Sequence, residues 1–179
     1  MERDIKKVLL SEEQIKNRIA ELGRELMEDY ADKNPIFVGV LKGVVVFYAD
    51  IIRAFPAHCQ LDFMWISSYK GTRSGEMLVR QDVTADLKGR HVVILEDILD
   101  SGRSLQFTYQ HLLNKGAASV RICTLLDKPE GRKPGITIQA DYVGFTVPNE
   151  FLVGYGLDYN EKYRNLPYVG ILKPEVYEK

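Results

Sequence analysis

The sequence predicts an α/β protein built on a central parallel sheet flanked by helices. Three observations lead there. Strand-like runs at residues 36–41, 92–95 and 119–126 have the length and branched apolar content of strands covered on both faces. Segments of helical periodicity alternate with them. Polar, glycine-bearing sequence follows each run at once, and ligands of open α/β sheets collect beyond the carboxyl ends of the strands.

Taken in order, Val8, Leu9 and Leu10 form a short apolar run. Ser11, with Gln14 three residues on, has the form of a capping box. Ile15, Ile19, Leu22 and Leu26 then recur at helical spacing, which predicts a helix to about Tyr30, closed off by Pro35. Residues 36–41 form the first core strand, and 43–55 read as a helix stopped by Pro56. A strand at 61–67 leads into a polar stretch, 68–76, with Gly71 and Gly75. This stretch is expected to be a mobile lid, with 77–82 as its returning strand. After a turn at 87–90 comes the most strand-like run, 92–95, then a helix over 104–115 stopped by Gly116. The strand at 119–126, a loop with Pro129, Gly131, Pro134 and Gly135, and shorter strands at 142–145, 151–155 and 168–172 complete the chain.

The 179 residues suit one domain, and 45% hydrophobic content is enough for a sizeable core. Lys and Arg number 24 against 25 Asp and Glu, so the basic excess of a general nucleic-acid binder is missing. Cys59 and Cys123 lie far apart in apolar surroundings and read as reduced, packed thiols. His58, His91 and His111 are scattered without zinc-site spacing. Residues 39–43 form neither a dinucleotide fingerprint nor a Walker lysine loop. Met1 to Lys7 is charged, and no apolar run reaches membrane-spanning length, so the expectation is a soluble cytoplasmic protein.

The chemistry concentrates after residues 92–95, in Glu96-Asp97-Ile98-Leu99-Asp100-Ser101-Gly102-Arg103-Ser104. Two adjacent carboxylates at a strand end suit the vicinal hydroxyls of a ribose and can help position a magnesium ion. Small residues then enter a helix, where backbone N–H groups and the helix dipole favour a phosphate. Ser101 and Ser104 add hydroxyls, and Gly102 permits close backbone approach. A lone Asp-Ser-Gly would merely cap a helix; the full string, from apolar strand to helix, is far more specific.

This string resembles the 5-phosphoribosyl 1-pyrophosphate (PRPP) signature of type I phosphoribosyltransferases. Leu41-Lys42-Gly43, Ser68-Tyr69, Leu126-Asp127-Lys128-Pro129 and the run from Phe151 through Asp158 and Arg164 to Leu166 narrow the resemblance to the hypoxanthine-guanine branch. Ser101 stands where many members carry threonine, Arg103 is at a variable position, and Leu152 replaces a common valine. The resemblance implies the type I fold, with a core at about 36–145 and a small hood from about 1–35 and 146–179. It implies transfer of phosphoribosyl from PRPP to N9 of a 6-oxopurine, with magnesium (Mg2+), in a homodimer or homotetramer. No nucleic-acid or membrane partner is expected.

Residue by residue, the resemblance makes Asp100 the acid/base near purine N7 and places Glu96 and Asp97 on the ribose hydroxyls and the metal. Ser101, Gly102, Arg103 and Ser104 would hold the 5-phosphate. Lys42, Gly43, Arg164, Ser68 and Tyr69 would serve pyrophosphate, with a cis peptide at Leu41–Lys42. Lys128, Phe151, Leu152 and Asp158 would receive the purine, and Asp158 would face a second metal. Taken alone, Arg164 reads as a surface ion-pair partner and Phe151 as core, and Asp158 reads equally as a turn former. Two other classes stay open: an enzyme for another base such as uracil or xanthine, and a regulator that keeps the fold to bind RNA or DNA. The latter calls for a basic face.

Overall fold

A computed structural model describes residues 1–68 and 76–178. The expected lid, with Tyr69, Gly71 and Gly75, lies outside the described residues apart from its two ends. A 3-10 turn (Glu2–Asp4) precedes β1 (Ile5–Leu10), α1 (Glu12–Tyr30), β2 (Ile36–Leu41), α2 (Val45–Arg53) and β3 (Gln60–Ser68). Then come β4 (Met77–Gln81), β5 (His91–Leu99), α3 (Arg103–Asn114), β6 (Ser119–Asp127) and β7 (Tyr142–Thr146). The chain ends in β8 (Leu152–Val153), β9 (Val169–Leu172) and α4 (Pro174–Tyr177).

The main sheet has the order β4-β3-β2-β5-β6-β7, parallel except for the antiparallel edge strand β4. Alternate side chains serve its two faces. Phe37, Val93 and Leu95 pack with Ile15, Leu22 and Leu26 of α1 and with Phe47 and Ile51 of α2. Ile36, Val38, Val92 and Ile94 point the other way and pack with Leu105 and Leu112 of α3. The continuous apolar runs are explained by this double coverage. The capping box forms as expected: Gln14 N–H donates to Ser11 Oγ at 3.2 Å, and Ser11 N–H donates to Gln14 Oε1 at 2.9 Å.

A second, antiparallel sheet of order β1-β9-β8 joins the two ends of the chain. Its small core contains Val153, Tyr163, Leu166 and Leu172.

Three elements differ from expectation, each for a local reason. The strand expected at 92–95 runs on to Leu99, because β6 continues in register as far as Leu99↔Asp127. Pairing with β2 ends at Gly39↔Leu95, so residues 96–99 keep a ladder on one side and open onto a cleft on the other. The strand expected at 151–155 shrinks to two residues, because Gly154 (φ 97°) and Tyr155 (φ 50°) turn left-handed. The helix expected from residue 43 begins at Val45, after a turn that follows a cis Leu41–Lys42 peptide.

Candidate active site

Two cavities meet at the carboxyl end of β5. The first, about 240 Å³, is lined by Gly43, Glu96, Asp97, Asp100, Ser101 and Ser104 among others. The second, about 420 Å³, is lined by Asp100, Lys128, Phe151, Leu152, Asp158 and Tyr177 among others. Ile98 and Asp100 line both, so Asp100 stands at the junction.

In the first cavity Glu96 is buried and Asp97 is partly exposed. Burial, and then the neighbouring Asp97 charge, push the Glu96 carboxyl well above the usual range. Burial also raises Asp97, opposed by the Glu96 hydrogen bond, by the Ile98 N–H that donates to Asp97 Oδ1 at 2.8 Å, and by the positive Arg164. Two like-charged, poorly solvated carboxyls side by side favour a hydroxyl donor or a cation between them and the cleft.

Gly43 closes this cavity from the β2 side. A methyl group there would overlap Asp97 Oδ2, and one on Gly156 would overlap Gly43 O. The two glycines let three strands of chain meet without side chains between them, and Gly156 also holds φ 101°. Opposite, Gly102 caps α3 at φ 79°, which turns the Ser101–Ser104 backbone toward the cleft. Arg103 is the first residue of α3, and its N–H lies 3.4 Å from Ser101 Oγ. Its side chain borders a separate groove with Met77, Gln106 and Phe107. Ser68 ends β3 opposite Met77, exposed and outside both cavity linings.

The basic side of the site is a short network. Arg164 Nη1 donates to Gly156 O at 2.7 Å, and Nη2 pairs with Asp158 Oδ1 at 3.1 Å. Glu161 bridges Lys42 (3.2 Å) and Arg164 (3.4 Å). The buried Arg164 Nε finds no hydrogen-bond partner among the described residues. Asn160, Glu161 and Tyr163 hold positive φ in this loop, a conformation that clusters at functional sites.

In the second cavity Lys128 is buried, with its Nζ 2.8 Å from Asp100 Oδ2 and 3.4 Å from Glu150 O. Phe151 forms a flat wall, stacked on Tyr177 with centroids 4.7 Å apart at 22° and edge-on to Tyr159. Leu152 is buried beside it. The fold therefore brings together Lys128, Phe151, Leu152, Asp158 and Asp100 from distant parts of the sequence.

Two contributors were not among the expected site residues. Tyr177 lies on α4, and only an aromatic after Pro174 hinted at it. Arg132 follows Lys128 by four residues, and its guanidinium binds the backbone of Leu99, Asp100 and Lys128.

A mostly parallel sheet with an acidic strand end, a glycine at the start of the following helix and a neighbouring aromatic slot is the arrangement expected of a type I phosphoribosyltransferase. Accordingly, residues 7–160 match the phosphoribosyl transferase domain family. A hypoxanthine-guanine phosphoribosyltransferase of Streptococcus pneumoniae is 54% identical, over 99% of this chain and 98% of that one. One from Streptococcus thermophilus is 52% identical over 100% and 99%. The crystal structure of a hypoxanthine phosphoribosyltransferase from Staphylococcus aureus superposes with a TM-score of 0.95 at 48% identity, covering 100% of this chain and 97% of that one. The chain belongs to the hypoxanthine-guanine phosphoribosyltransferases.

Proposed function

We propose that the protein transfers the 5-phosphoribosyl group of PRPP to N9 of hypoxanthine or guanine, giving IMP or GMP and pyrophosphate. The observation that carries this is the Lys128–Asp100 pair at the junction of the two cavities. It puts a donor for an oxo group beside a carboxylate that can manage a purine proton. A related hypoxanthine phosphoribosyltransferase from Trypanosoma cruzi, 38% identical with a TM-score of 0.90, was solved with its product IMP. We assign the aromatic slot to the base and the acidic cavity to ribose phosphate, on the chemistry of their linings.

The roles follow from position. Ser101, Gly102 and Ser104, with the backbone of Arg103, bind the 5-phosphate at the start of α3. Glu96 and Asp97 accept hydrogen bonds from the ribose hydroxyls. Phe151, backed by Tyr177, stacks on the purine, and the buried Leu152 strand offers backbone to its edge. Lys128 donates to the 6-oxo oxygen, which frees Asp100 to accept the proton displaced as N9 attacks ribose C1. Arg164, Lys42 and the Gly43 backbone receive the pyrophosphate as its charge grows, and Glu161 must yield to it. Ser68 and Tyr69 are assigned to the same side by resemblance.

Magnesium fits this site by the chemistry of its donors. Glu96 and Asp97 are hard oxygen ligands with too little solvent to stay charged cheaply, and Asp158, in the adjoining cavity, is assigned to a second ion. Among the described residues no group of three or more His, Cys, Asp and Glu is placed to hold a metal ion. The two carboxylates would therefore hold an ion only together with water and substrate oxygens, and when bound it would neutralise pyrophosphate charge.

The core at about 36–145 then supplies the phosphate and ribose sites, and the chain ends supply the hood over the base. We also assign the protein to the cytoplasm as a homodimer or homotetramer. Among the described residues no helix is long and apolar enough to cross a membrane. Turnover of hypoxanthine with PRPP and magnesium, with pyrophosphate released in equal amount, tests the assignment.

A further inference from the structure

We infer that Arg132 is a positioning residue that fixes the purine-reading Lys128 and the acid/base Asp100 in one frame. The inference rests on the proposed reaction. Arg132 Nη1 donates to Leu99 O at 2.7 Å, to Asp100 O at 2.9 Å and to Lys128 O at 3.1 Å. Its Nη2 pairs with Asp127 Oδ1, and both side chains are only 20% exposed. One guanidinium thus clasps the end of β5, the first residue of the phosphate loop and the residue just after β6.

The contacts around it run the same way. Lys128 N–H donates to Leu99 O at 3.0 Å, and Lys133 N–H donates to Ser101 O at 3.2 Å. Gly131 sits so close to Asp100 that a methyl group would overlap Asp100 Oδ1. The 128–133 turn is therefore the mould against which the Asp100–Ser101 backbone is set.

The physical need is clear. At Asp100 the chain leaves the sheet: the buried Leu99 carbonyl still accepts from Lys128 N–H, whereas the partly buried Asp100 carbonyl lies past the last pair of the β5–β6 ladder. A carbonyl left without a donor is costly, and it is free to turn. A guanidinium is planar and forked, so it can hold carbonyls on one nitrogen while a carboxylate holds the other. Lysine has one nitrogen and cannot span both sets. With the clasp loosened, the Asp100 carboxylate drifts relative to Lys128, and a displacement of about 1 Å can cost about 100-fold in rate.

The test is R132K, which keeps the charge and removes the fork, measured beside the parent with PRPP, magnesium and hypoxanthine. The protein is first shown to be folded by circular dichroism and gel filtration. The expected result is a fall in kcat of about 10- to 100-fold, with KM for PRPP within about threefold, because the phosphate contacts remain. A merely structural role would instead lower the folded fraction and leave kcat per folded molecule unchanged. A folded R132K with kcat within about twofold of the parent overturns the inference. If R132K does not fold, D127N loosens the guanidinium without removing its fork. Its expected loss is smaller, about 3- to 10-fold in kcat, and parental kcat there overturns the inference equally. An inactive parent would sink the proposed reaction instead, so the two failures are distinguishable.

Discussion

Removing the Lys128 ammonium separates base recognition from fold stability. Among the described residues Lys128 Nζ meets Asp100 Oδ2 at 2.8 Å and Glu150 O at 3.4 Å. The Asp100 side chain is 45% exposed, so water can replace the lost partner, and K128A is expected to lose only about 0–1 kcal/mol of stability. The oxo oxygen of bound hypoxanthine would lose a charged donor. A hydrogen bond from a charged donor is worth about 1.5–3 kcal/mol, which corresponds to roughly 10- to 150-fold in kcat/KM for hypoxanthine. The assay is the absorbance change on conversion of hypoxanthine to IMP at saturating PRPP, alongside a thermal melt of the same preparation. K128Q is expected to narrow the gap to adenine, because its amide adds an acceptor for the 6-amino group. If K128A turns over hypoxanthine within about twofold of the parent, selectivity comes from elsewhere, most directly the Leu152 backbone.

Asp100→Asn keeps the size and removes the proton acceptor, so kcat should fall by about 10²–10⁴-fold while PRPP affinity, measured by calorimetry, holds. Near-parental turnover would end its acid/base role. Glu96→Gln addresses pH. The Glu96 carboxyl is raised in the fold, so its protonated form is favoured there; its contribution is favourable below the ordinary carboxylate range and is lost as pH rises through the folded value. Near neutral pH without magnesium, E96Q should therefore melt above the parent by the equivalent of about 0.5–2 kcal/mol, while losing activity. The difference should shrink toward acid pH; a variant less stable than the parent at neutral pH would contradict the burial account.

What was legible in the sequence was mostly local. The Ser11–Gln14 box depends on two side chains three residues apart, and it formed as written. The run from Val92 to Ser104 carries strand, acids, glycine and helix start in a single stretch, so both the parallel sheet and the acidic cleft could be read from it. Long-range partners were less visible. That β5 extends past Glu96 depends on β6 keeping register to Asp127, which no residue in β5 announces. The Val8–Leu10 run becomes a strand only because β9, more than 150 residues on, offers an edge. Tyr177 stacks on Phe151 from the far end of the chain, and Arg132 grips three carbonyls besides Asp127, so neither leaves a clear pairwise pattern in the sequence. Phe151, whose spacing alone read as core, packs against the small core around Val153 and Leu166 and also lines the second cavity.

The central claim is transfer from PRPP to a 6-oxopurine, and one panel tests it most directly. The purified protein is assayed with PRPP and magnesium against hypoxanthine, guanine, xanthine, adenine and uracil, following both nucleotide and pyrophosphate. Hypoxanthine and guanine should be converted with one pyrophosphate per nucleotide, with negligible turnover of adenine and uracil. Adenine or uracil used as well as hypoxanthine, or no turnover of any base, would contradict the account.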